Sequence, residues 1–323
     1  TLILMGAVGA IAATFGTLTA WVTTRYRFFL SGFLGWGLLL PLAIPAYVGA
    51  YALVDLLEYA GPVQTALRGI FGWKNAQDYA FPEIRSLPSA VVVLTASLFP
   101  YVYLMTRAAF REQSGAGEEV AMSLGAGAFA RFRRVGLPLA RPAIAAGVAI
   151  VMMETVNDFG TVDYFAVQTL TTGIFSVWLQ SNNAAGAAQI ASVILLLVIL
   201  LVGLEKTSRR QIRFFTISNR HRPLERVALR GAFGWLATLA CLIPFVIGFL
   251  LPAGVIFVLA AGNSKFWFDP ALIRALWNTL TVAGIASVIT VLAGVFMVYG
   301  VRLSSSRVAK LLLPITTIGY AAP

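Results

Sequence analysis

Two carboxylates four residues apart, Glu154 and Asp158, stand in an otherwise apolar stretch, with Asp163 close behind. On a helix that spacing puts both on one face. A carboxylate within a membrane segment is costly and faces protein or a water-filled cavity. Oxygen ligands suit hard cations, so one reading is a polar stripe lining a cation path. The other places Asp158 and Asp163 at the outer interface and pairs Glu154 with a polar group of a neighbouring helix. Neither assigns a resident metal. Asp55 and Glu58 pose the same choice at an outer helix end: reception of a partner, or solvation. The stretch from Glu58 to Arg85, with Trp73, Tyr79 and Phe81, reads either as a partner surface or as an interfacial aromatic belt.

Catalytic chemistry has no comparable candidates. The single His221 lies in a basic stretch and the single Cys241 in an apolar one, which excludes a nucleophile pair, an internal disulfide and a histidine-rich metal cluster. The pattern G-x-x-x-x-G-K-[ST] is absent, so P-loop hydrolysis of ATP is not expected of this chain. The expectation is a non-enzymatic chain that binds no cofactor itself.

The elements that must position these residues are membrane helices. Of the 323 residues 59% are hydrophobic and 11% charged, against about a quarter charged in soluble domains. Eight apolar segments stand out: Thr1–Thr24, Gly32–Val54, Ser86–Thr106, Pro142–Gly160, Ala187–Leu204, Trp235–Ala260, Thr279–Val301 and Leu311–Pro323. An all-α, polytopic integral membrane protein follows. If Thr1 starts outside, 19 of the 24 Lys and Arg residues face the cytoplasm. The positive-inside rule fixes that orientation and accounts for the net charge of +11. Nucleic acid is therefore not an expected partner, and the lipid bilayer is.

A shift of 278 residues lays Thr1, Leu2, Gly6, Ile11 and Gly16 on Thr279, Leu280, Gly284, Ile289 and Gly294, and Leu34, Ala43 and Pro45 on Leu312, Ala321 and Pro323. Two tandem repeats are expected, both cut: residues 1–204 as a first repeat lacking its first helix, 205–230 as a basic cytoplasmic linker, and 231–323 as the start of a second.

The longest polar loop of the first repeat, 111–141, carries the most informative sequence. Ser114 or the glycines after it open a short helix with Glu118 and Glu119 in its first turn. Gly125 and Gly127 end it, and a second helix through Ala128–Arg134 spaces Phe129, Phe132 and Val135 by threes. Leu137–Pro138 is expected to stop that helix, and Pro142 to open the next membrane helix. Such an amphipathic pair either lies on the headgroups or docks a cytoplasmic partner.

Glu119-Val120-Ala121, three residues, Gly125, nine residues, then Val135-Gly136-Leu137-Pro138 resembles the cytoplasmic EAA loop of ABC importer permeases, with valines in place of one alanine and one isoleucine. The resemblance implies a type I ABC importer permease fold, a separate ATPase subunit dimer that carries the ATP, and an extracytoplasmic substrate-binding protein. In that family the short helix inserts into a groove of the nucleotide-binding subunit. Glu119 would then make a charged contact, Ala121 a close packing contact and Gly125 the turn, with Phe132, Leu137 and Pro138 completing the coupling loop. A narrower resemblance, carried by Glu154–Ala191, is to the fused-repeat ferric iron permeases of the bacterial inner membrane. It implies iron(III) as substrate and a second EAA loop about 278 residues after the first. Permeases for thiamine, sulfate, polyamines or phosphonate share the general loop. An ion-coupled secondary transporter and an intramembrane assembly protein are the alternatives outside this family.

Overall fold

The computed structural model describes residues 1–113, 115–210, 226–263 and 267–303. Ser114, the linker residues 211–225 with His221, Lys265, and the expected last segment Leu311–Pro323 with its repeat positions lie outside the described residues, as does the side chain of Glu118.

The protein is all-α. Helix α1 (Leu2–Arg25) is followed by a two-residue strand, β1 (Tyr26–Arg27), and by α2 (Ser31–Gly37), a 3-10 turn (Leu40–Ala43), α3 (Ala46–Leu57) and α4 (Pro62–Phe71). Next come α5 (Leu87–Glu112), α6 (Gly115–Ser123), α7 (Ala128–Arg131), α8 (Leu137–Asn157), α9 (Gly160–Tyr164), α10 (Leu170–Phe175) and α11 (Ala184–Arg210). The strand β2 (Val227–Ala228) pairs in parallel with β1 and precedes α12 (Gly231–Phe245), α13 (Leu251–Gly262) and α14 (Pro270–Leu303). Among the described residues, six helical runs are long and apolar enough to cross a membrane, or seven if a bent pair counts as one span.

That bent pair sharpens the expectation of a single helix over Gly32–Val54, in which Pro41 and Pro45 suggest a kink: the helix is broken there. The chain turns by 93° between Ser31–Ala43 and Ala46–Phe71. Pro45 bars its predecessor from the helical region, and Ile44 is extended at φ −110°, ψ 118°. Pro41 and Pro45 also lack the N–H that a continuous helix would use.

A correction concerns Leu137 and Pro138, which do not stop a helix. A π-turn (Phe132–Gly136) joins α7 to α8, so one 30-residue run spans Ala128–Asn157 with Pro142 inside it. The wider turn bonds the Leu137 N–H to the Phe132 carbonyl, and so resets the ladder just before Pro138, which has no donor to add.

Two compact units are present, residues 1–254 and 255–322. The core of the first is the trio α1, α5 and α8, which meets at Val102 of α5. A Cβ on Gly16 of α1 would lie 2.6 Å from Val102 Cβ, and one on Gly147 of α8 would lie 2.7 Å from Val102 Cα. Small residues that let backbones touch supply the dispersion contacts on which helix association in lipid depends. Gly6, on the same helix, has open space around it. Leu94, Phe99, Tyr103 and Phe110 of α5 are fully buried beside this junction. Helix α12, from the expected second repeat, belongs to the same unit: the Thr238 hydroxyl donates to the Phe29 carbonyl at 3.0 Å, and Phe245 meets Phe33 edge-on at 5.5 Å.

In the second unit the Asp269 carboxylate accepts the Ala271 N–H at 2.8 Å and so caps α14. With 34 residues, α14 is about 50 Å long at the usual rise per residue.

Candidate functional site

The loop between α5 and α8 folds as its sequence directs. Helix α6 ends in a double closure: the Ala126 N–H bonds the Ala121 carbonyl and the Gly125 N–H bonds the Met122 carbonyl, both at 2.9 Å. This reciprocal pair requires a left-handed residue at its centre, and Gly125 has φ +76°. The motif glycine is thus fixed by backbone geometry, and the motif alanine supplies one of the two carbonyls. Glu119 is exposed. So are the apolar side chains of Val120, Met122, Leu124 and Phe129, with Leu124 81% and Phe129 73% accessible. A polar loop that displays four large apolar groups presents a contact surface.

The far end of the loop is anchored. Phe132, in the π-turn, lies 5.2 Å from the ring of Trp21 in α1, and Trp21 also meets Phe110 of α5 edge-on at 5.1 Å. Gly136 permits this closeness, since a Cβ there would fall 2.4 Å from Trp21 Cζ3. Leu137 and Pro138 form the first turn of α8 and are half-buried. The amide of Gln113 donates to the Gly136 carbonyl at 3.1 Å, and its oxygen accepts from Arg25 Nη2 at 3.3 Å. Neither Trp21 nor Gln113 was marked by the sequence. Trp21 sits four residues before Arg25, a spacing that hints at their contact, whereas nothing local signals the partners of Gln113.

The carboxylates meet at the helix break. A cavity of about 170 Å³ is lined by Leu42, Ile44, Pro45 and Ala46 from the break, by Leu94, Ser97, Leu98 and Tyr101 from α5, and by Glu154 and Asp158. It has room for several waters. Interrupted membrane helices beside a polar cavity are a recurring setting for transported substrates. The expected helical face shared by Glu154 and Asp158 needs correction, however. Helix α8 ends at Asn157, and Asp158 lies beyond it in extended conformation. Its carboxylate accepts the Thr161 N–H at 2.9 Å, the Thr161 hydroxyl at 3.0 Å and the Val162 N–H at 3.3 Å, so it caps the start of α9. The two carboxylates converge because the chain turns there. Asp163 is exposed and is not among the lining residues. Ser97 and Tyr101, which the sequence left unmarked, face the same cavity.

At the outer end of these helices Arg85 bonds Glu58 at 3.2 Å and its guanidinium stands 5.2 Å from the Tyr164 ring. Burial lifts the Tyr164 hydroxyl above its ordinary pKa, and Arg85 partly opposes that. The aromatic residues of the outer stretch pack on one another: Trp73 stacks on Phe71 and on Tyr79, each at 4.7 Å. Among the described residues no group of three or more His, Cys, Asp or Glu is arranged to hold a metal ion.

Such a fold, a helical membrane trio with a broken helix and an anchored polar loop, is that of a polytopic integral membrane protein. The chain belongs to the family of binding-protein-dependent transport system inner membrane components, whose family model matches residues 12–213. It is accordingly a multi-pass protein of the bacterial inner membrane. Among its relatives is the Fe(3+)-transport system permease protein FbpB 2 of Haemophilus influenzae, 29% identical over 202 residues, which make up 62% of this chain and 35% of the relative. The sulfate transport system permease protein CysT of Salmonella typhimurium is 33% identical over 193 residues, 58% of this chain and 66% of CysT. The ferric transport system permease protein FbpB of Actinobacillus pleuropneumoniae aligns along the whole chain at 24% identity and is covered over 49% of its own length. The chain thus spans about a third to two thirds of the length of these relatives. Its fold is similar to that in the crystal structure of a bacterial alginate ABC transporter in complex with an alginate pentasaccharide-bound periplasmic protein, with TM-score 0.51, 17% identity, and coverage of 65% of this chain and 76% of that one.

Proposed function

We propose that the chain is the membrane permease portion of an ATP-driven importer that takes iron(III) from an extracytoplasmic binding protein, with ATP bound and hydrolysed on a separate ATPase dimer. The observation that carries the coupling assignment is the 115–136 loop: a helix closed at Gly125, with exposed Glu119, Val120 and Leu124, tied at its far end to α1. Glu119, Ala121, Gly125, Phe132, Leu137 and Pro138 have these roles: an exposed charge, a capping carbonyl, a turn, an aromatic anchor and the first turn of a membrane helix. Alternating access would follow from ATPase closure pulling on this loop. Two fused repeats, with a second such loop about 278 residues on, complete the reading.

For the substrate, the cavity favours a cation. Two carboxylic side chains and no Lys or Arg line it, a setting that repels a sulfate dianion and attracts a hard trivalent ion. Glu154 and Asp158 are the pathway residues on this reading, Asp163 a more exposed neighbour. The sulfate permease relatives at similar identity supply the competing reading.

Two measurements test these assignments. The native complex is expected to co-purify with its ATPase, and Glu119→Arg to disrupt it; full retention of the ATPase would sink the docking role. Uptake of radiolabelled iron(III) against radiolabelled sulfate by the reconstituted complex decides the substrate. Glu154→Gln is expected to lower iron uptake at equal transporter abundance, and unchanged uptake would remove Glu154 from the pathway.

A further inference from the structure

We propose that Gln113, Arg25 and Trp21 form a latch that ties the 115–136 loop to α1, acting as positioning residues for energy coupling; this rests on reading that loop as the ATPase docking element. The chain leaves α5 at Gln113, where the backbone turns extended, and returns to the membrane at Gly136. The hydrogen bond from the Gln113 amide to the Gly136 carbonyl at 3.1 Å therefore closes the base of the loop. The oxygen of the same amide is held at 3.3 Å by Arg25, the last residue of α1. Arg25 is 6% accessible, and its guanidinium stands 4.9 Å from the Trp21 ring. That ring fills the space over Gly136 and touches Phe132 and Phe110.

One amide thus joins three elements: α5 by the chain, the π-turn that leads into α8 by its donor, and α1 by its acceptor. Glutamine is suited to this, because its two ends have opposite hydrogen-bonding sense and neither charges the buried site. Aspartate or glutamate would lose the donor, and lysine would lose the acceptor and face Arg25. The ring of Trp21 makes the joint stiff in compression, so a displacement of the π-turn is passed to α1 as packing force. The latch carries movement; it does not bind nucleotide or substrate.

The test uses the full-length permease with its ATPase and binding protein in liposomes, reading substrate transported per ATP hydrolysed. Gln113→Met keeps the side-chain volume and removes both hydrogen bonds, while Gln113→Glu keeps only the acceptor toward Arg25. Each is expected to retain ATPase co-purification and to lower transport per ATP by about tenfold, out of proportion to the small drop in unfolding midpoint that losing one or two buried hydrogen bonds brings. Combining Gln113→Met with Arg25→Met is expected to fall no further than the worse single change. Unchanged transport per ATP, additive losses, or a loss that tracks a lowered unfolding midpoint would each overturn the latch. Loss of ATPase binding in Gln113→Met alone would also overturn it, by assigning Gln113 to docking. If the native complex holds no ATPase, or Glu119→Arg leaves binding intact, the docking reading fails first and takes the latch with it.

Discussion

A side chain at position 125 would have to hold φ near +76°, which costs an L-residue about 1–2 kcal/mol. Asparagine tolerates that region better than alanine or valine. Coupling, measured as ATPase activity stimulated by loaded binding protein, is therefore expected to fall in the order Gly, Asn, Ala, Val at position 125, with membrane insertion unchanged. An order set by side-chain size alone, with Ala above Asn, would show that contact and not backbone geometry fixes the residue. Gly16 is constrained differently, since Val102 Cβ would lie 2.6 Å from its Cβ. Gly16→Val is expected to destabilise the protein in detergent by about 1–3 kcal/mol as an overpacked core does, whereas Gly6→Ala, in open space, stays within about 0.5 kcal/mol. Thermal unfolding of the two variants separates them. Gly125 was legible because its role is local: a glycine after a short helix is a stop signal whatever surrounds it. Gly16 and Gly6 looked alike in sequence, because the neighbour that distinguishes them lies on another helix.

At the scale of elements, proline was legible as a break but not as to kind. Pro45 turns the chain through 93°, while Pro138 is absorbed by a π-turn and leaves its helix running. The difference lies in the residues upstream, where a five-residue wide turn supplies the slack that Ile44 does not have. Asp158 shows the same limit: four residues from Glu154, it was assigned to a helix face, yet its carboxylate opens the next helix. That double position makes a separable prediction. Asp158→Asn keeps a capping oxygen and removes the charge, and Asp158→Ala removes both. Asn is expected to unfold near the native midpoint with reduced uptake of the proposed iron(III) substrate, and Ala to lose about 1–2 kcal/mol besides. Equal uptake in the native and Asn proteins would leave Asp158 a structural cap alone. The outer stretch offers a pH test. The backbone N–H groups of Asn75 and Lys74 hold the Asp78 carboxyl below its ordinary pKa. A lowered folded value means that the contribution is present above the unfolded pKa and is lost as pH falls through the lower folded one. Protection of the amides of residues 74–78, taken as exchange rate relative to the intrinsic rate at the same pH, is thus expected to be the same at pH 7 and pH 5.5, and to fall only in acid below the ordinary carboxylate range.

For the whole molecule, orientation follows from charge that the fold itself does not need. Nineteen of 24 basic residues fall on the segments assigned to one side; of that set Arg25 bonds Gln113 at the base of the 115–136 loop, which itself carries Arg131, Arg133 and Arg134, while from the other set Arg68 bonds Tyr79 of the aromatic stack and Arg85 bonds Glu58. Hydropathy gave the helices, because it is a sum over many residues and survives local misassignment; the charge bias, a sum of the same kind, gives the expected direction. The packing of α12 on the first unit was not legible, because apolar helices share so small an alphabet that no pair announces its partner. The native chain makes the orientation easy to measure. Its single cysteine, Cys241, is buried, so a membrane-impermeant thiol reagent meets little background and Cys241→Ser removes the rest. In that background Lys74→Cys is expected to react in intact cells without outer-membrane barriers, and Arg133→Cys only after the inner membrane is opened. Were Arg133→Cys labelled first, the loop would face away from ATP, and an importer driven from the cytoplasm could not be built on it. If charge sets the sides of the two positions, moving the bias moves the labels. Neutralising Arg131, Arg133 and Arg134 together is expected to raise outside labelling of a cysteine at position 127 from none to a measurable fraction, because that short loop is then held inside by fewer charges.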